Sequence, residues 1–426
     1  MRRYDFHLLR ANSRSLPVIA LFVFFTHTPR AQDDPLKQCQ AAAAAKLETA
    51  VQICSDAIMH ASLAPAALAD AYLSRGTAYD TKKDYEKAIA DFHEVVRLQP
   101  KSAVAYYALA QVAMEQSNST EAIQRYSDAL RANPKFVPAL TDRGLAYLSK
   151  GDSDHALEDF TQAIRIGPEY IPAYMNRASV YARRNDLSLA LRDYDRILQI
   201  NPSYLPGILA RANTRAAAKQ YDDAIYDLDD AIRLQTGNAG IWARQSDIYA
   251  EKGDYAHAIR DLNAALRLQP SNATLLSARG YSETYIGDYT SAERDLTAAL
   301  ASKKDEAYFT LWIFLAQRKA GKPGIDDLKK NAASVKMDAW PASVLRFYLG
   351  ELPSDAVLEA ANNGDALKSV GQHCEAYFYL GEDALLRGKP DEAAKLFQQS
   401  ISTGLSAYVE YRGAMAELDR MKAFHN

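Results

Sequence analysis

Small and apolar residues recur along most of this chain at helical spacing. Small residues stand 34 positions apart at seven points, with no insertion or deletion between them. They are Gly76, Ala110, Gly144, Ala178, Ala212, Ser246 and Gly280. An alanine follows each one twelve positions later, and a large apolar or aromatic residue comes four positions after that. Because residues three or four apart share one face of an α-helix, each period predicts two packed helices, A and B.

Turn residues mark the ends of these predicted helices. Proline cannot continue a helix, and it closes five of the seven periods. These prolines are Pro100, Pro134, Pro168, Pro202 and Pro270. Gly-Asp pairs at 151–152, 253–254 and 287–288 predict the turn between helix A and helix B. We expect the small residues to let the two helices approach closely, and the large residue of helix B to fill the gap to the next period.

This pattern resembles the tetratricopeptide repeat, a unit of two antiparallel helices. The resemblance implies an all-α fold, a right-handed α-solenoid of helix-turn-helix repeats, with seven contiguous units at 69–306. Around them we predict five further segments. These are a signal peptide at 1–31, a capping helical hairpin at 32–68, a degenerate helical segment at 307–373, a further unit at 374–407 and a capping helix at 408–426.

The N-terminal segment has the composition of a secretion signal. Five arginines and one aspartate lie within residues 1–31, around an apolar run at 16–25. This arrangement predicts a signal peptide that is removed after Ala31. Ten apolar residues are too few to cross a bilayer, so we predict no stable membrane span. The protein would be periplasmic or secreted, and a cytoplasmic protein with an inert N-terminus is the alternative.

Charges are almost balanced over the whole chain, with 50 basic and 53 acidic side chains. Without a basic excess there is no electrostatic basis for binding nucleic acid or an anionic membrane surface. Within the repeats, arginines precede the small residue of helix A and aspartates precede the large residue of helix B. We expect these two sets to form ion pairs between neighbouring helices.

Catalytic and metal-binding motifs are missing from the sequence. The eight histidines are dispersed, and there is no phosphate-binding glycine loop, nucleophile elbow or zinc-ligand spacing. We therefore predict no enzyme activity, no cofactor and no metal.

Two cysteines flank the predicted N-terminal hairpin. Cys39 and Cys54 are about equally far from its turn, near Lys46 and Leu47, so they would lie opposite one another. A disulfide between them is one interpretation, and two buried, reduced thiols are the other.

Helix A lines the inner wall of stacked repeats of this kind, where binding usually occurs. The inward positions give the predicted partner-binding residues. They are Tyr107, Gln111, Met114, Thr141, Leu145, Met175, Asn176, Ser179, Arg183, Leu209, Asn213, Arg244, Asp247, Tyr281 and Tyr285. Apolar side chains mixed with amides and hydroxyls suit an extended peptide or a protein partner. Ordinary solvated or repeat-to-repeat contacts are the alternative for any single residue.

The last third of the chain carries a narrower resemblance. Leu311-Trp-Ile-Phe-Leu, Arg346-Phe-Tyr-Leu-Gly and His373-Cys-Glu-Ala-Tyr-Phe-Tyr-Leu-Gly resemble the end of NlpI-type tetratricopeptide lipoproteins, over about residues 273 to 421. The resemblance implies a non-enzymatic adaptor of the bacterial envelope, which presents cell-wall hydrolases to a periplasmic protease. It also implies a homodimer.

Overall fold

The computed structural model describes residues 34–302, 307–362 and 364–425. Every regular element within those ranges is an α-helix. The predicted all-α helical repeat solenoid is therefore confirmed as the fold class. The predicted signal peptide, and the site of its removal, lie outside the described residues. Two compact units make up the described chain, one at 34–214 and one at 215–425.

The first unit consists of consecutive helices that pack mainly against their neighbours in sequence. They are α1 (Pro35–Ala44), α2 (Ala50–His60), α3 (Pro65–Thr81), α4 (Tyr85–Leu98), α5 (Ala103–Glu115), α6 (Ser119–Ala132), α7 (Val137–Ser149), α8 (Ser153–Ile166), α9 (Ile171–Arg183), α10 (Leu187–Ile200) and most of α11 (Leu205–Ala217). From α3 onward, odd-numbered helices are the A helices of the repeats and even-numbered helices are the B helices.

The second unit continues the repeats and then departs from them. Its regular helices are α12 (Tyr221–Leu234), α13 (Ala239–Lys252), α14 (Tyr255–Leu268), α15 (Ala273–Ile286) and α16 (Tyr289–Ser302). The later helices are α17 (Ala307–Lys319), α18 (Ile325–Ala332), α19 (Ala342–Tyr348), α20 (Ser354–Ala360), α21 (Ala366–Leu386), α22 (Pro390–Ser402) and α23 (Val409–His425). Helix α21 begins before residue 374, where the sequence predicted the start of the last repeat.

The small residue of helix A lies directly under the large residue of helix B in the same repeat. A Cβ added to Gly144 would stand only 2.5 Å from Cε1 of Phe160, and one added to Gly76 would stand 2.6 Å from Phe92. Glycine allows this close approach, because a methyl group at either position would overlap the ring unless the ring moved. The Phe160 ring also shares a buried cluster with Val180 of the next repeat, so the predicted filling between periods is confirmed.

Left-handed backbone turns connect helix A to helix B. Gly151, Gly253 and Gly287 have φ values of 80°, 85° and 88°, which confirms the turns predicted from the Gly-Asp pairs. Four other repeats place a larger residue in the same conformation. These residues are Lys83, Ser117, Asn185 and Lys219. An L-residue pays about 1–2 kcal/mol for this backbone geometry, so the repeats differ in local strain.

Arginines of helix A bridge the B helices of two successive repeats. Arg143 donates from Nε and Nη2 to the carboxylate of Asp159, over 2.8 and 2.7 Å. Its Nη1 donates to Oγ of Ser127 in the preceding repeat, over 2.9 Å. Arg75 and Arg177 repeat this arrangement with their own partners. The predicted ion pairs are confirmed for these three arginines, and the third bond of each ties its helix A to the preceding helix pair. Asp261 instead pairs with Arg260 of its own helix.

The N-terminal hairpin consists of α1 and α2. Lys46 turns the chain between them with φ 53°. Cys39 and Cys54 form a disulfide across the two helices, with their Cα atoms 4.6 Å apart. The sequence left a disulfide and two reduced thiols as alternatives, and the structure contains the disulfide. Cys374 is a buried free thiol.

The C-terminal helix reaches further than the sequence predicted. We expected it to cover the last repeat, and α23 does pack on α21 and α22. It also packs on α15, where the Tyr285 hydroxyl donates to the Val409 carbonyl over 2.6 Å. Lys319 of α17 lies between Glu382 of α21 and Glu417 of α23, at 2.8 and 2.5 Å. These contacts fold the end of the second unit back onto its last regular repeat.

Candidate binding surfaces

The predicted partner-binding residues of the first unit differ in exposure. Tyr107 and Thr141 are buried, with 2% and 1% of their surface accessible, and Arg183 is exposed. The others are half-buried. They are Gln111, Met114, Leu145, Met175, Asn176, Ser179, Leu209 and Asn213. Thr141 donates its hydroxyl to Val137 of its own helix. A partner could therefore reach the half-buried side chains, while the two buried ones support their neighbours.

An acidic group that the sequence analysis missed lies on this same face. Asp142 accepts a hydrogen bond from the Tyr107 hydroxyl over 2.6 Å, and the Gln111 amide donates to that hydroxyl over 3.1 Å. Burial raises the pKa of Asp142 to about 6, although the bond from Tyr107 opposes the rise. Among the seven repeats, Asp142 is the one acidic residue at its register position. This difference from the other repeats is a sequence signal that could have identified it.

In the second unit, three of the four predicted residues line one cavity. Asp247, Tyr281 and Tyr285 border a space of about 310 Å³, and Arg412 of α23 lies on its other side. Burial raises the pKa of Asp247, and the charges of Arg244 and Arg412 oppose that rise. The fourth predicted residue, Arg244, is half-buried and acts on this cavity through Asp247. The chain's own last helix therefore borders the cavity that these predicted residues line.

A second and larger cavity, of about 680 Å³, lies among α17, α19 and α21. Tyr308, Trp340 and Glu375 contribute to its wall. The Glu375 Oε2 atom accepts a hydrogen bond from the Trp340 Nε1 over 2.6 Å and one from the Tyr308 hydroxyl over 2.9 Å. None of these residues was a candidate from the sequence, because α17, α19 and α21 lie far apart along the chain.

A buried carboxyl pair stands next to this cavity. Glu410 of α23 accepts bonds from the Tyr379 hydroxyl over 2.9 Å and from the Trp312 Nε1 over 3.4 Å. Burial raises the pKa of both Glu375 and Glu410, and for Glu375 the negative charge of Glu410 raises it further. The structure thus places two acids together in a region otherwise made of aromatic rings.

The described ranges lack the features of a membrane span and of a metal site. No helix there has the length and apolar content that a bilayer span requires. In the same part of the chain, no three His, Cys, Asp or Glu side chains converge as a metal site would need.

Family models decide what these repeats are. The model described as "Tetratricopeptide repeat" matches residues 73–137, 107–171 and 141–204, and the model described as "TPR repeat" matches residues 247–283. The chain carries tetratricopeptide repeats. Repeats of this kind form protein-interaction modules, so the chain is a tetratricopeptide scaffold.

A curated relative matches part of the chain. The "Lipoprotein NlpI homolog" of Haemophilus influenzae is 32% identical over 128 residues, which are 29% of this chain and 40% of that protein. The match therefore spans less than half of the relative's length. It agrees with the resemblance to NlpI-type lipoproteins that the sequence indicated.

Several solved structures are similar to parts of the chain. YrrB, described as "a TPR protein with an unusual peptide-binding site", is 21% identical and has a TM-score of 0.39, covering 44% of this chain and 97% of its own. A tetratricopeptide repeat protein from Parabacteroides merdae is 20% identical and has a TM-score of 0.42, covering 58% and 98%. The pilF protein of Pseudomonas aeruginosa is 20% identical and has a TM-score of 0.41, covering 48% and 93%.

Proposed function

We propose that this chain is a non-enzymatic adaptor of the bacterial periplasm that holds peptide segments of partner proteins on the helix A face of its first unit. The half-buried side chains of α9 and α11 carry this proposal. Met175, Asn176 and Ser179 lie on α9, and Leu209 and Asn213 lie on α11, the A helix of the next repeat. This set alternates apolar contacts with hydrogen-bonding groups.

That alternation suits an extended peptide. Asparagine amides can donate to and accept from a peptide backbone, and methionine adapts its shape to different side chains. Asp142, on the A helix of the preceding repeat, adds one acidic group that would favour a donor on the peptide. The proposed surface therefore prefers segments that are partly apolar and carry an N–H or a positive charge.

We also propose that the partners are envelope enzymes, either cell-wall hydrolases or proteases. The support is the partial identity to a lipoprotein NlpI homolog, together with the predicted signal peptide. The disulfide between Cys39 and Cys54 fits an oxidising compartment, because such bonds form and persist outside the cytosol.

Site-specific photo-cross-linking tests the binding face. The photoreactive residue p-benzoylphenylalanine would replace Met175 in one variant, and Leu189, an exposed apolar residue of the neighbouring B helix, in the other. We expect cross-linked partners from position 175 and not from position 189. The combined change Met175→Ala and Asn213→Ala should lower partner capture by at least tenfold, with unchanged melting temperature. Equal cross-linking from both positions would assign binding to another surface.

Export is tested separately. Residues 1–40 fused to an alkaline phosphatase that is active only after export should give activity. An inactive fusion, with the full chain found in the cytosolic fraction starting at Met1, would favour the alternative, a cytoplasmic assembly module.

A further inference from the structure

The two cavities of the second unit share one wall. Tyr308, Glu375 and Tyr408 border both the 310 Å³ space and the 680 Å³ space. Each of the three comes from a different part of the fold, namely α17, α21 and the segment just before α23. A group placed at this wall would meet a carboxyl and aromatic rings at the same time.

Within the described part of the chain, the carboxyl at this wall accepts hydrogen bonds from neutral donors. Glu375 is 3% exposed, and its Oε2 is bonded by a phenol and an indole. Within the residues that the structure describes, it forms no ion pair with a lysine or an arginine. A buried carboxylate is stable only when it is paired, so an isolated one holds its proton or takes a cation from outside.

Further hydrogen-bonding capacity is unused around the larger cavity. The Oγ of Ser343 and the Oε1 of Gln372 are buried without a hydrogen-bond partner in the described part of the chain. Both residues line the cavity of about 680 Å³. A buried acceptor without a donor costs about 1–3 kcal/mol, so a ligand with N–H groups would recover that free energy.

The aromatic part of the wall depends on a glycine. A Cβ added to Gly371, inside α21, would stand 2.5 Å from the Tyr408 hydroxyl. Glycine within a helix costs about 1 kcal/mol relative to alanine, so close approach of Tyr408 gives a reason for glycine at this position. Tyr308, Trp340 and Tyr408 all line this cavity, and aromatic rings attract cations.

We propose that this wall binds a primary ammonium group, either on a lysine side chain of a peptide or on a small free amine. The ammonium would bond Glu375 and the unpartnered oxygens of Ser343 and Gln372, with the rings of Tyr308, Trp340 and Tyr408 around its alkyl stem. This site does not depend on the proposed peptide face, which lies in the other unit.

Other charges around Glu375 agree with this assignment. Arg346 and Lys368 also line the cavity, but both side chains are exposed, and each interacts elsewhere, Arg346 with the Met337 carbonyl and Lys368 with Asp365. Their repulsion of a cation is screened by water. Asp338 at the same cavity adds negative charge, and Glu410 adds more where it is ionised.

Cation binding should be linked to proton release. Burial and Glu410 raise the pKa of Glu375, so in the free protein this carboxyl holds its proton to a higher pH than usual. Tyr308, Tyr379 and Cys374 also face the two acids, and burial raises the pKa of each of them above its ordinary value, so all three stay neutral near pH 7. A bound ammonium lowers the pKa of Glu375, and its affinity should therefore rise with pH until that carboxyl is ionised without the ligand.

Calorimetric titration of the whole chain tests the proposal. The probes are an N-acetylated, C-amidated alanine–lysine–alanine tripeptide, the same peptide with neutral norleucine in place of lysine, and n-butylamine. We expect the lysine peptide to bind at least tenfold more tightly than the norleucine peptide, and the difference to grow from pH 6 to pH 8. Binding of butylamine as tight as that of the lysine peptide assigns the site to small amines, and weaker binding assigns it to peptides.

Three variants locate the site. Glu375→Gln keeps one acceptor oxygen for Tyr308 and Trp340 but removes the charge, so it should abolish the preference for lysine and its pH dependence. Gly371→Ala should displace Tyr408 and weaken binding of the lysine peptide by at least fivefold. Glu359→Gln removes one exposed charge from α20 and should change nothing. Failure of all three probes to bind, or an unchanged lysine preference in Glu375→Gln, would overturn the proposal.

Discussion

Removing the carboxylate of Asp159 should destabilise the first unit more than removal of a surface acid. Asp159 receives two bonds from Arg143, and the side chains of these residues are 6% and 20% exposed. The pKa of Arg143 is raised, first by its hydrogen bond to Asp159. Asp159→Ala would leave a largely buried guanidinium with only the Ser127 hydroxyl.

The expected magnitude follows from burial. A hydrogen bond to a charged group contributes about 1.5–3 kcal/mol, and breaking a fully buried ion pair costs about 3–5 kcal/mol. Because one fifth of Arg143 remains in contact with solvent, we expect Asp159→Ala to lower the free energy of unfolding by about 2–3 kcal/mol. The matched control is Glu94→Ala, which breaks an ion pair with Arg97. The Glu94 and Arg97 side chains are 39% and 64% exposed, so this change should lower the free energy of unfolding by less than about 0.5 kcal/mol.

A double variant separates the charge from the packing. The second repeat has Leu109 and Arg125 where the third has Arg143 and Asp159, so the fold accepts a repeat without this pair. Arg143→Leu combined with Asp159→Leu should therefore cost at least about 1 kcal/mol less than Asp159→Ala alone, since no unpaired charge remains.

Urea unfolding followed by circular dichroism would give the free energies. Hydrogen exchange would show whether the loss is confined to α7, α8 and their neighbours, as expected when each repeat contacts mainly the next. If Asp159→Ala cost no more than Glu94→Ala, the Arg–Asp bridges would be ordinary surface pairs, and the reasoning from burial would be refuted.

Three further predictions concern other parts of the chain. Reduction of the Cys39–Cys54 disulfide should lower the melting temperature of the N-terminal hairpin, because closing a loop of this size contributes about 3 kcal/mol; the double change to alanine should show no effect of reductant. Lys219→Gly should raise the free energy of unfolding by about 1 kcal/mol by relieving a φ of 60°, and Gly253→Lys should lower it by a similar amount, both measured by urea unfolding. Burial raises the pKa of Glu283 to about 7, so the folded state keeps a proton that the unfolded chain releases near pH 4.5; stability should fall as pH rises from about 4.5 to 7, and Glu283→Gln should flatten that part of the profile of unfolding midpoint against pH.

The fold was predictable because the contacts within each repeat join residues that are close in sequence. Gly144 and Phe160 lie sixteen positions apart, and Arg143 and Asp159 have the same separation, so the contacts that define a repeat fall within one period of the sequence. Helical periodicity and turn residues are enough to place such pairs on facing helices. The third bond of Arg143, to Ser127, was not predicted because the direction of a long side chain depends on the packed neighbours.

The candidate sites were less predictable. The helix A positions on α9 and α11 that the sequence selected are half-buried, and their role in binding stays a prediction. The same positions gave no reason to expect Tyr107 to be buried against Asp142. Exposure depends on how successive repeats stack, which the period alone does not specify. No repeat pattern in the sequence identifies Glu375 as a site residue, because its partners Tyr308 and Trp340 belong to the irregular part of the chain.

The sequence by itself determined the repeating helical hairpins, their turns, the small and large packing partners and the pairing of arginine with aspartate. These features depend on spacings shorter than one period, where helix geometry converts sequence distance into spatial distance. Only the tertiary structure decided where the C-terminal helix α23 packs. Tyr285 meets Val409 across a sequence separation of 124, and this return of α23 brings Glu410 near Glu375 and places Arg412 at the smaller cavity. No periodicity encodes such a contact, because it arises when the last helices bury their remaining apolar faces against each other.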